Sequence, residues 1–182
     1  ETMLKDICDS HRLNAVCFRY FNAAGADTTE PDFIGECHDP ETHLIPNILK
    51  SVLSGSPMEI YGSDYNTHDG TCVRDYVHVN DLAQAHLLGL EYLKGNDNRG
   101  FSAFNLGNGS GFSVLDVIKA CEKVIGRSVD YTIEKRRLGD PDMLVADSTY
   151  AIKKMNWRPR HSSLELIINS AWQWHKRLAS KK

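Results

Sequence analysis

Residues 64–82 combine a polar loop, a basic side chain and a helix start in one stretch. Asp69-Gly70 is a turn dipeptide, because glycine adopts a positive φ without a Cβ clash. The segment 72–79 alternates and is rich in β-branched residues, which predicts a strand that carries Arg74. An arginine held on a strand suits a phosphate or a carboxylate, since its planar guanidinium donates to two oxygens at once. The alternative is a surface arginine, or one that contacts its neighbour Asp75.

A second basic cluster, Lys135-Arg136-Arg137, follows the alternating segment 129–134, which predicts a half-exposed strand. A charge run of this kind is usually a solvated rim. Paired with Arg74, however, an arginine at the end of a second strand would let two guanidinium groups hold a diphosphate from both sides. The cluster therefore indicates either a solvent-facing rim or part of a diphosphate site.

Cys37, His38 and His43 have side chains of the types that bind metal ions. Their spacing matches no zinc pattern, and no closing pair of ligands follows them along the chain. We therefore expect no metal site in this chain.

The glycine-rich segment 107–111 follows an apolar strand and precedes a helix, which is the setting of a dinucleotide fingerprint. Its glycine spacing does not match that fingerprint, so the indication is weak, but its backbone N–H groups could face a phosphate or a sugar. Asn22 follows the apolar segment 15–21. Ligands of open parallel sheets bind beyond the carboxyl ends of the strands, so Asn22 is a candidate contact; the alternative is a turn residue.

The composition excludes several classes of protein. The chain has 182 residues, 41% of them hydrophobic and 25% charged, as in an ordinary globular domain. A net charge of -3 provides no basic field for nucleic acid. The five cysteines include no CxxC pair, which favours a reducing compartment over a disulfide framework. No apolar run is long enough for a membrane span, and no signal peptide is recognisable, so we expect a cytoplasmic protein without membrane or nucleic-acid partners.

The elements that position these residues follow from the hydrophobic pattern. Short apolar or alternating runs predict strands, and stripes at helical spacing predict helices. The predicted strands are 15–21, 58–62, 72–79, 104–106 and 129–134. The predicted helices are 3–8, 44–53, one from Leu82 to about Gly95, one from Val114 to about Gly126, and one from about Leu164. Strand–helix alternation of this kind indicates an α/β fold. The run 15–21 suits a strand covered on both faces.

Capping signals precede three of these helices. Asn80-Asp81 precedes the first, Ser113 stands three residues before Asp116, and Ser162 stands three residues before Glu165. The helix at residues 3–8 has no convincing cap before it. We therefore expect the chain to be a fragment whose first helix begins upstream.

Two residues in the helix that starts at Leu82 carry separate predictions. His86 lies on the apolar stripe, and a lone histidine there is more often a satisfied core residue than a ligand. Gly89 lies on the same stripe, where it would permit close packing against a neighbour.

Several segments follow one another in an order that resembles a known family. They are 19–26, His38-Asp39-Pro40-Glu41-Thr42-His43-Leu44-Ile45-Pro46, 61–65, the stretch 64–82, Asn105-Leu106-Gly107 and Arg136-Arg137-Leu138-Gly139-Asp140-Pro141. In combination they resemble the UDP-glucose 4-epimerase family of extended short-chain dehydrogenases, and the resemblance covers nearly the whole chain. It implies the C-terminal part of a Rossmann-like fold with the smaller substrate-binding domain.

The same resemblance implies a division of the complete protein. The family binds NAD mainly in its N-terminal half, with a glycine fingerprint and a catalytic Tyr-x-x-x-Lys pair. Residues 1–182 would be the UDP-sugar-binding portion with the last strands of the dinucleotide-binding sheet, the NAD-binding half being absent. Tyr131–Lys135 and Tyr150–Lys154 have the right spacing but not the family's place. No catalytic residue is therefore expected here, and the pair is expected upstream of Glu1.

Carried over position by position, the resemblance implies a set of substrate-binding residues. They are Asn22, His43, Leu44, Glu59, Tyr61, Arg74, Val114, Arg137, Asp140 and Leu144. The two arginines would hold the diphosphate and Asp140 a ribose hydroxyl, while Glu59 and Tyr61 would lie along the uracil. Leu144 would border the hexose, where bulk affects the acceptance of an N-acetyl sugar. The implied cofactor-binding residues are Tyr20 and Phe21, next to the nicotinamide.

The implied activity is the interconversion of UDP-glucose and UDP-galactose with bound NAD, through a 4-keto sugar that rotates about its diphosphate linkage. The complete protein is expected to be a homodimer, and this chain alone to be inactive. Two alternatives remain open. One is another NAD-dependent sugar-nucleotide dehydratase or decarboxylase, against which the Thr42–Pro46 stretch argues. The other is a non-catalytic sugar-nucleotide-binding module.

Overall fold

The computed structural model describes residues 1–95, 100–161 and 163–180. In this part of the chain the helices are α1 (Thr2–His11), α2 (Leu44–Ser54), α3 (Val79–Lys94), α4 (Val114–Ile125), α5 (Thr149–Met155) and α6 (Leu164–Ala179). The strands are β1 (Ala15–Tyr20), β2 (Asn22–Ala24), β3 (Ala26–Asp27), β4 (Ile34–Gly35), β5 (Met58–Tyr61), β6 (Val73–His78), β7 (Phe101–Leu106), β8 (Gly111–Ser113), β9 (Tyr131–Glu134) and β10 (Met143–Leu144). The α/β fold indicated by the pattern is confirmed.

Strand β6 is the centre of the largest sheet in the described residues. It pairs in parallel with β2 and with β10, and antiparallel with β8. Strand β1 pairs in parallel with β7 along its whole length, and β5 does the same with β9. Parallel pairing places the carboxyl ends of these partners at a common edge.

Two apolar clusters hold these sheets to the helices. The larger one joins α2, α4 and α6 through buried side chains that include Ile45, Ile48, Leu49, Val117, Ile118, Cys121, Ile167 and Ile168. The smaller one joins β7, α3 and α5 through Val77, Leu82, Ala85, Phe104, Leu106, Ala151, Met155 and Trp157. The Trp157 indole is fully buried and donates to the carbonyl of Asp81 at 2.9 Å, so its polar atom is satisfied.

Most predicted strands lie close to their expected positions, but their burial differs. Strand β1 is half-buried to exposed rather than covered on both faces, since within the described residues it pairs along one edge only. All four residues of β9 are exposed, whereas a half-exposed strand was predicted, because the buried Val129 lies just before the strand. The pattern did not predict β2, β3, β4, β8, β10 or α5.

Helix α4 has the predicted ends. The Ser113 hydroxyl accepts from the backbone N–H of Asp116 at 3.0 Å, and the Asp116 carboxylate accepts from the backbone N–H of Ser113 at 3.1 Å. This reciprocal capping box satisfies two orphan donors. Helix α6 begins after Ser163, whose hydroxyl accepts from the backbone N–H of Leu166 at 3.2 Å. The predicted cap, Ser162, lies outside the described residues.

Helix α3 begins at Val79 rather than at Leu82, so the predicted capping by Asn80-Asp81 is wrong. Its N-cap is His78, whose Nδ1 accepts from the backbone N–H of Asn80 at 3.1 Å. The buried Asp81 carboxylate accepts instead from the backbone N–H groups of residues 160 and 161, each at 2.9 Å. A loop distant in sequence has taken the acceptor that local pattern assigned to the helix.

His86 is exposed, so its predicted place in the core is wrong, although both of its ring nitrogens have partners. Its Nδ1 lies 2.8 Å from the Leu82 carbonyl, which can only accept, so this nitrogen carries the proton. Its Nε2 then accepts from the Tyr20 hydroxyl at 2.7 Å. The prediction for Gly89 is confirmed, since a Cβ there would lie 2.7 Å from the Phe18 ring.

The carboxylate of Asp75 joins two separate backbone segments to β6. Asp75 is fully buried, and its oxygens accept from the backbone N–H groups of Asn108 at 2.9 Å, Gly109 at 2.9 Å and Ala146 at 3.0 Å. Gly107 makes this approach possible, because a Cβ there would lie 2.5 Å from one carboxylate oxygen. The glycine-rich turn is therefore shaped around Asp75.

This arrangement overturns two expectations. The N–H groups of Asn108 and Gly109 donate to Asp75, so the prediction that the turn presents them to a phosphate or a sugar is wrong. The Arg74 guanidinium does not pair with Asp75 either, because neighbouring residues of a strand point to opposite faces. It donates instead to the carbonyls of Val73 and Pro141, at 2.8 and 2.9 Å.

In the described residues no helix has the length and apolarity that crossing a bilayer requires. All five cysteines are free thiols.

Replacing Asp75 by Asn tests this anchor. The amide keeps the size of the side chain but removes the charge and points a donor at backbone donors. Hydrogen bonds to charged groups contribute about 1.5–3 kcal/mol, so we expect Asp75→Asn to lower the free energy of unfolding by about 3 kcal/mol or more. Urea unfolding measures this change. The control, Asp64→Asn at an exposed position, should stay within about 0.5 kcal/mol. A loss below about 1 kcal/mol for Asp75→Asn would contradict the assignment.

Candidate functional site

A pocket of about 230 Å³ lies where α2, β5, β6 and the loop after β9 meet. Nine of the ten residues singled out for a substrate line it: Asn22, His43, Leu44, Glu59, Tyr61, Arg74, Val114, Arg137 and Asp140. They come from chain segments as far apart as residues 22 and 140. The tenth residue, Leu144, borders a different pocket.

The two arginines enter this pocket in different ways. The Arg74 side chain is only 15% exposed and lies 3.4 Å from an Asp140 carboxylate oxygen, in addition to its two backbone acceptors. The Arg137 guanidinium lies over the Tyr61 ring, 4.0 Å from its centroid. Within the described residues Arg137 makes no ion pair, so its N–H donors remain available to an anion.

Arg136 and Arg137 are neighbours with separate tasks. Arg136 donates to the carbonyl of Asp140 at 2.9 Å and to the carboxylate of Asp142 at 2.8 Å, and it lies over the Tyr65 ring. These contacts close the loop that follows β9. Arg136 therefore fixes the loop and Arg137 faces the pocket, a distinction that a basic cluster in sequence does not reveal.

Glu59 and Tyr61 lie two residues apart on β5 and therefore share one face of the strand. The Tyr61 hydroxyl donates to the Glu59 carboxylate at 2.7 Å. On the opposite face Met58 and Ile60 reach the larger apolar cluster, which fixes the strand. The Tyr61 side chain is thus held at its hydroxyl by the carboxylate of Glu59 and over its ring by the guanidinium of Arg137.

Two helix starts supply the apolar side of the pocket. Leu44 is the first residue of α2, and Val114 is the first residue of α4. His43 is the N-cap of α2, with extended backbone and no capping hydrogen bond from its side chain. The side chain of His43 instead contacts the carboxylates of Glu36 and Glu41.

The second pocket, of about 400 Å³, adjoins the first. Tyr20, Phe21 and Leu144 line it, and it shares Asn22 and Arg74 with the first pocket. Leu144 is 48% exposed and belongs to neither apolar cluster. Two aromatic residues and an aliphatic one thus lie next to the guanidinium of Arg74.

Tyr20 and Asn22 are both tied to neighbouring elements. Burial raises the pKa of the Tyr20 hydroxyl, so this group stays protonated and donates to His86 at neutral pH. The Asn22 amide donates to the carbonyl of Asp75 at 2.7 Å, and Asn22 lines both pockets.

Cys72 and Tyr76 also line the first pocket, although neither was among the residues predicted to bind a substrate. They lie two residues before and after Arg74, so the alternation of β6 places all three on one face. That alternation was the signal that could have found them. Burial raises the pKa of both the Cys72 thiol and the Tyr76 hydroxyl, so both groups are neutral at pH 7.

Together these residues can bind an elongated anionic ligand. Two guanidinium groups, a tyrosine ring, two carboxylates and several aliphatic side chains line the site. Bidentate arginine contacts suit phosphate oxygens, while carboxylates accept from hydroxyl or amide donors.

Comparison with known proteins identifies relatives along the whole chain. The UDP-glucose 4-epimerase of Halalkalibacterium halodurans is 48% identical over 169 residues, covering 92% of this chain and 49% of the relative. The crystal structure of UDP-glucose 4-epimerase from Brucella ovis in complex with NAD is 43% identical with a TM-score of 0.87, covering 95% of this chain and 52% of that one.

A second solved structure agrees closely in shape. It is UDP-glucose 4-epimerase from Stenotrophomonas maltophila with bound NAD and formylated UDP-arabinopyranose, which is 35% identical with a TM-score of 0.91, covering 100% of this chain and 53% of that one. The chain thus spans about half the length of the relatives it matches.

A family model matches residues 1–107, which is more than half of the chain. The matched range includes β1, β2, α2, β5 and β6, which together carry most of the residues lining the two pockets. The chain therefore belongs to the NAD dependent epimerase/dehydratase family.

Proposed function

We propose that this chain is the UDP-sugar-binding portion of a UDP-glucose 4-epimerase, an NAD-dependent isomerase that interconverts UDP-glucose and UDP-galactose. One observation carries the proposal: nine residues implied by family resemblance line a single pocket, although they come from widely separated segments. The relatives named UDP-glucose 4-epimerase support it, since three of them are 47–50% identical over at least 90% of this chain.

In this proposal the first pocket binds the nucleoside diphosphate. Arg137, unpaired by any carboxylate in the described residues, and Arg74 donate to the diphosphate oxygens. Asp140 accepts from a ribose hydroxyl. Uracil lies along Glu59 and Tyr61.

The hexose extends from the diphosphate into the second pocket, past the shared residues Asn22 and Arg74. Leu144 borders the sugar there. Besides the shared Arg74, this end is lined by aromatic, aliphatic and amide groups and by Arg19, whose guanidinium is paired with Glu1. The diphosphate, in contrast, meets both Arg74 and Arg137. The sugar ring can therefore turn while its nucleotide stays bound, and both faces of its C4 can be presented in succession. Equal, tight binding of one sugar face would lower the turnover rate.

The second pocket also fits the nicotinamide end of NAD. Tyr20 is 47% exposed and offers an aromatic surface, and Phe21 is its neighbour in the chain. Both residues line the pocket that the hexose enters. These two residues would orient the nicotinamide and exclude water from the sugar. NAD, when bound, supplies a reversible hydride acceptor for C4 of the sugar.

The complete protein in this proposal is a cytoplasmic homodimer whose N-terminal half carries most of the NAD site and the catalytic pair. The five free cysteines agree with a reducing compartment. Neither Tyr131 nor Tyr150, the residues with Tyr-x-x-x-Lys spacing, lines either pocket. In this proposal the Tyr-x-x-x-Lys spacing at Tyr131 and at Tyr150 is coincidental.

The division of labour gives a first prediction. Because the acid–base pair is assigned outside residues 1–182, the purified chain should bind UDP but should not convert UDP-galactose to UDP-glucose, even with added NAD. A coupled assay for UDP-glucose measures the conversion, and calorimetry measures UDP binding. Conversion by this chain would overturn the division. Absence of UDP binding would overturn the assignment of the pocket.

The arginines give a second prediction. Arg137→Ala should weaken UDP binding by about 1.5–3 kcal/mol, the contribution of a hydrogen bond to a charged group. Arg74→Ala should weaken it similarly, and UDP-glucose should lose as much as UDP. Arg158→Ala, an exposed residue outside both pockets, is the matched control and should leave binding unchanged. If calorimetry finds the same UDP affinity in all three variants, Arg74 and Arg137 do not bind the diphosphate and are solvated charges at the rim of the pocket.

Leu144 gives a third prediction, for the complete enzyme. Leu144→Ser removes bulk next to the hexose without removing a hydrogen bond, so kcat/KM for UDP-N-acetylglucosamine should rise about tenfold, within the roughly 1–3 kcal/mol by which apolar pockets discriminate bulk. The value for UDP-glucose should change little. Leu138→Ser, at a fully exposed leucine, is the control. If both substrates lose activity together and the melting temperature falls, Leu144 supports the fold and not specificity.

A further inference from the structure

The loop between β4 and α2 gathers two histidines and two glutamates that the sequence pattern did not associate. Each of Glu36, His38, Glu41 and His43 contributes one donor atom, and these four atoms lie within 4.8 Å of one another. Cys37 is not a member of the cluster, although it is next to His38 in the sequence. Sequence reasoning missed Glu36 and Glu41, which lie on either side of His38 at spacings that match no zinc motif.

The distances between these atoms approach those of a coordination shell. His38 Nδ1 lies 2.7 Å from Glu36 Oε1 and 4.0 Å from Glu41 Oε1, and His43 Nδ1 lies 3.4 Å from Glu41 Oε1 and contacts Glu36 Oε1 closely. Metal bonds of about 2.0–2.2 Å in a tetrahedron require ligand atoms roughly 3.3–3.6 Å apart. The closest pair must move apart by about 1 Å to reach this geometry. The two exposed imidazoles can supply that movement while the more buried carboxylates stay in place.

The backbone beneath the cluster is already fixed. The Trp174 indole donates to the carbonyl of Glu36 at 2.7 Å, and its ring packs against Gly35, where a Cβ would overlap it. Lys50 donates to the carbonyl of His38 at 3.3 Å and to the second oxygen of Glu41 at 3.1 Å. Contacts of this kind orient metal ligands without touching the ion.

The two kinds of side chain differ in exposure in a way that suits an ion arriving from solvent. The carboxylates form the floor, with side chains 19% exposed for Glu36 and 4% for Glu41. The imidazoles form the outer wall, at 57% for His38 and 48% for His43. Among the described residues, Lys50 is the only lysine or arginine paired with either carboxylate, so an added positive charge is favoured.

We infer that Glu36, His38, Glu41 and His43 bind one divalent transition-metal ion. Two imidazoles and two carboxylates favour Zn²⁺, Co²⁺ or Ni²⁺ over Mg²⁺ and Ca²⁺, which prefer oxygen ligands throughout. Binding needs a lone pair at each Nδ1, which the Nε2–H tautomer provides. The exposed rings leave Nε2 free to bond with water. The ion would join the loop before α2 to the N-cap of that helix.

A second cluster, His68 with Asp69 and Asp116, does not support the same inference. The Asp69 carboxylate accepts from the Ser113 hydroxyl at 2.5 Å and from the backbone N–H of Thr71 at 2.9 Å. Asp116 belongs to the capping box of α4. In the first cluster Glu41 Oε1 likewise accepts from the backbone N–H groups of Thr42 and His43, at 3.0 and 3.1 Å. The second cluster differs in offering one histidine and three donor atoms, where the first offers two histidines and four, and it serves as a comparison.

Titration of the metal-free chain with ZnCl₂ in a calorimeter tests the inference. We expect one Zn²⁺ per chain and no competition from excess MgCl₂. His38→Gln and Glu36→Gln should each weaken binding by about a hundredfold or more, because loss of a residue that only orients a ligand already costs about 10–100-fold. His68→Gln and the exposed His11→Gln are matched controls and should bind Zn²⁺ as the unaltered chain does. Binding that survives His38→Gln and Glu36→Gln, or that disappears with His68→Gln, would overturn the site.

Two further measurements protect the test against misfolding and against other ligands. Zn²⁺ should raise the melting temperature of the unaltered chain by mass action and should not raise that of His38→Gln, whose metal-free melt shows whether it folds. Co²⁺ should give the visible bands of a nitrogen- and oxygen-ligated ion. A sulfur-to-cobalt charge-transfer band that vanishes in Cys37→Ser would contradict the proposed ligands.

Discussion

The carboxylate of Asp75 is the constraint on which both pockets depend. It is fully buried and accepts three backbone N–H groups, from the glycine-rich turn at one side and from the segment after β10 at the other. Those contacts hold β6 against the segments that carry Leu144 and the start of α4. Arg74, the preceding residue on the strand, therefore points toward the opposite face. An interaction that touches no ligand thus orients the residue that joins the two pockets.

Local periodicity predicted the fold class, five of the six helices and five of the ten strands in the described residues. Each of these patterns depends on about a dozen consecutive residues or fewer. Examples are the apolar stripe of α2, the capping box of α4 and the alternation of β5 and β6. Most of the candidate site followed from the same source combined with family resemblance, since Arg74, Glu59 and Tyr61 stand on regular strands. Periodicity fixes which face a residue occupies, and the parallel pairing then brings those faces together.

The errors arose where a partner distant in sequence took a polar group that the local pattern had assigned elsewhere. Asp81 serves the backbone of residues 160 and 161 and not the start of α3. The N–H groups of Asn108 and Gly109 serve Asp75 and not a ligand. His86 pairs with Tyr20 at the surface and not within the core. Burial of a carboxylate is costly unless donors surround it, so tertiary contacts prevail over local capping preferences at these positions.

The two-residue period of β6 also limits how this protein can change in length. Arg74 and Asp75 face opposite sides of the sheet, and both positions are specified by their surroundings. Inserting or deleting one residue at this point would exchange the two faces, placing a guanidinium among backbone donors and a carboxylate in the pocket. A single substitution leaves this alternation of faces intact, whereas a change in the length of the strand does not. Insertions and deletions are therefore expected in the loops of this protein and not within β6.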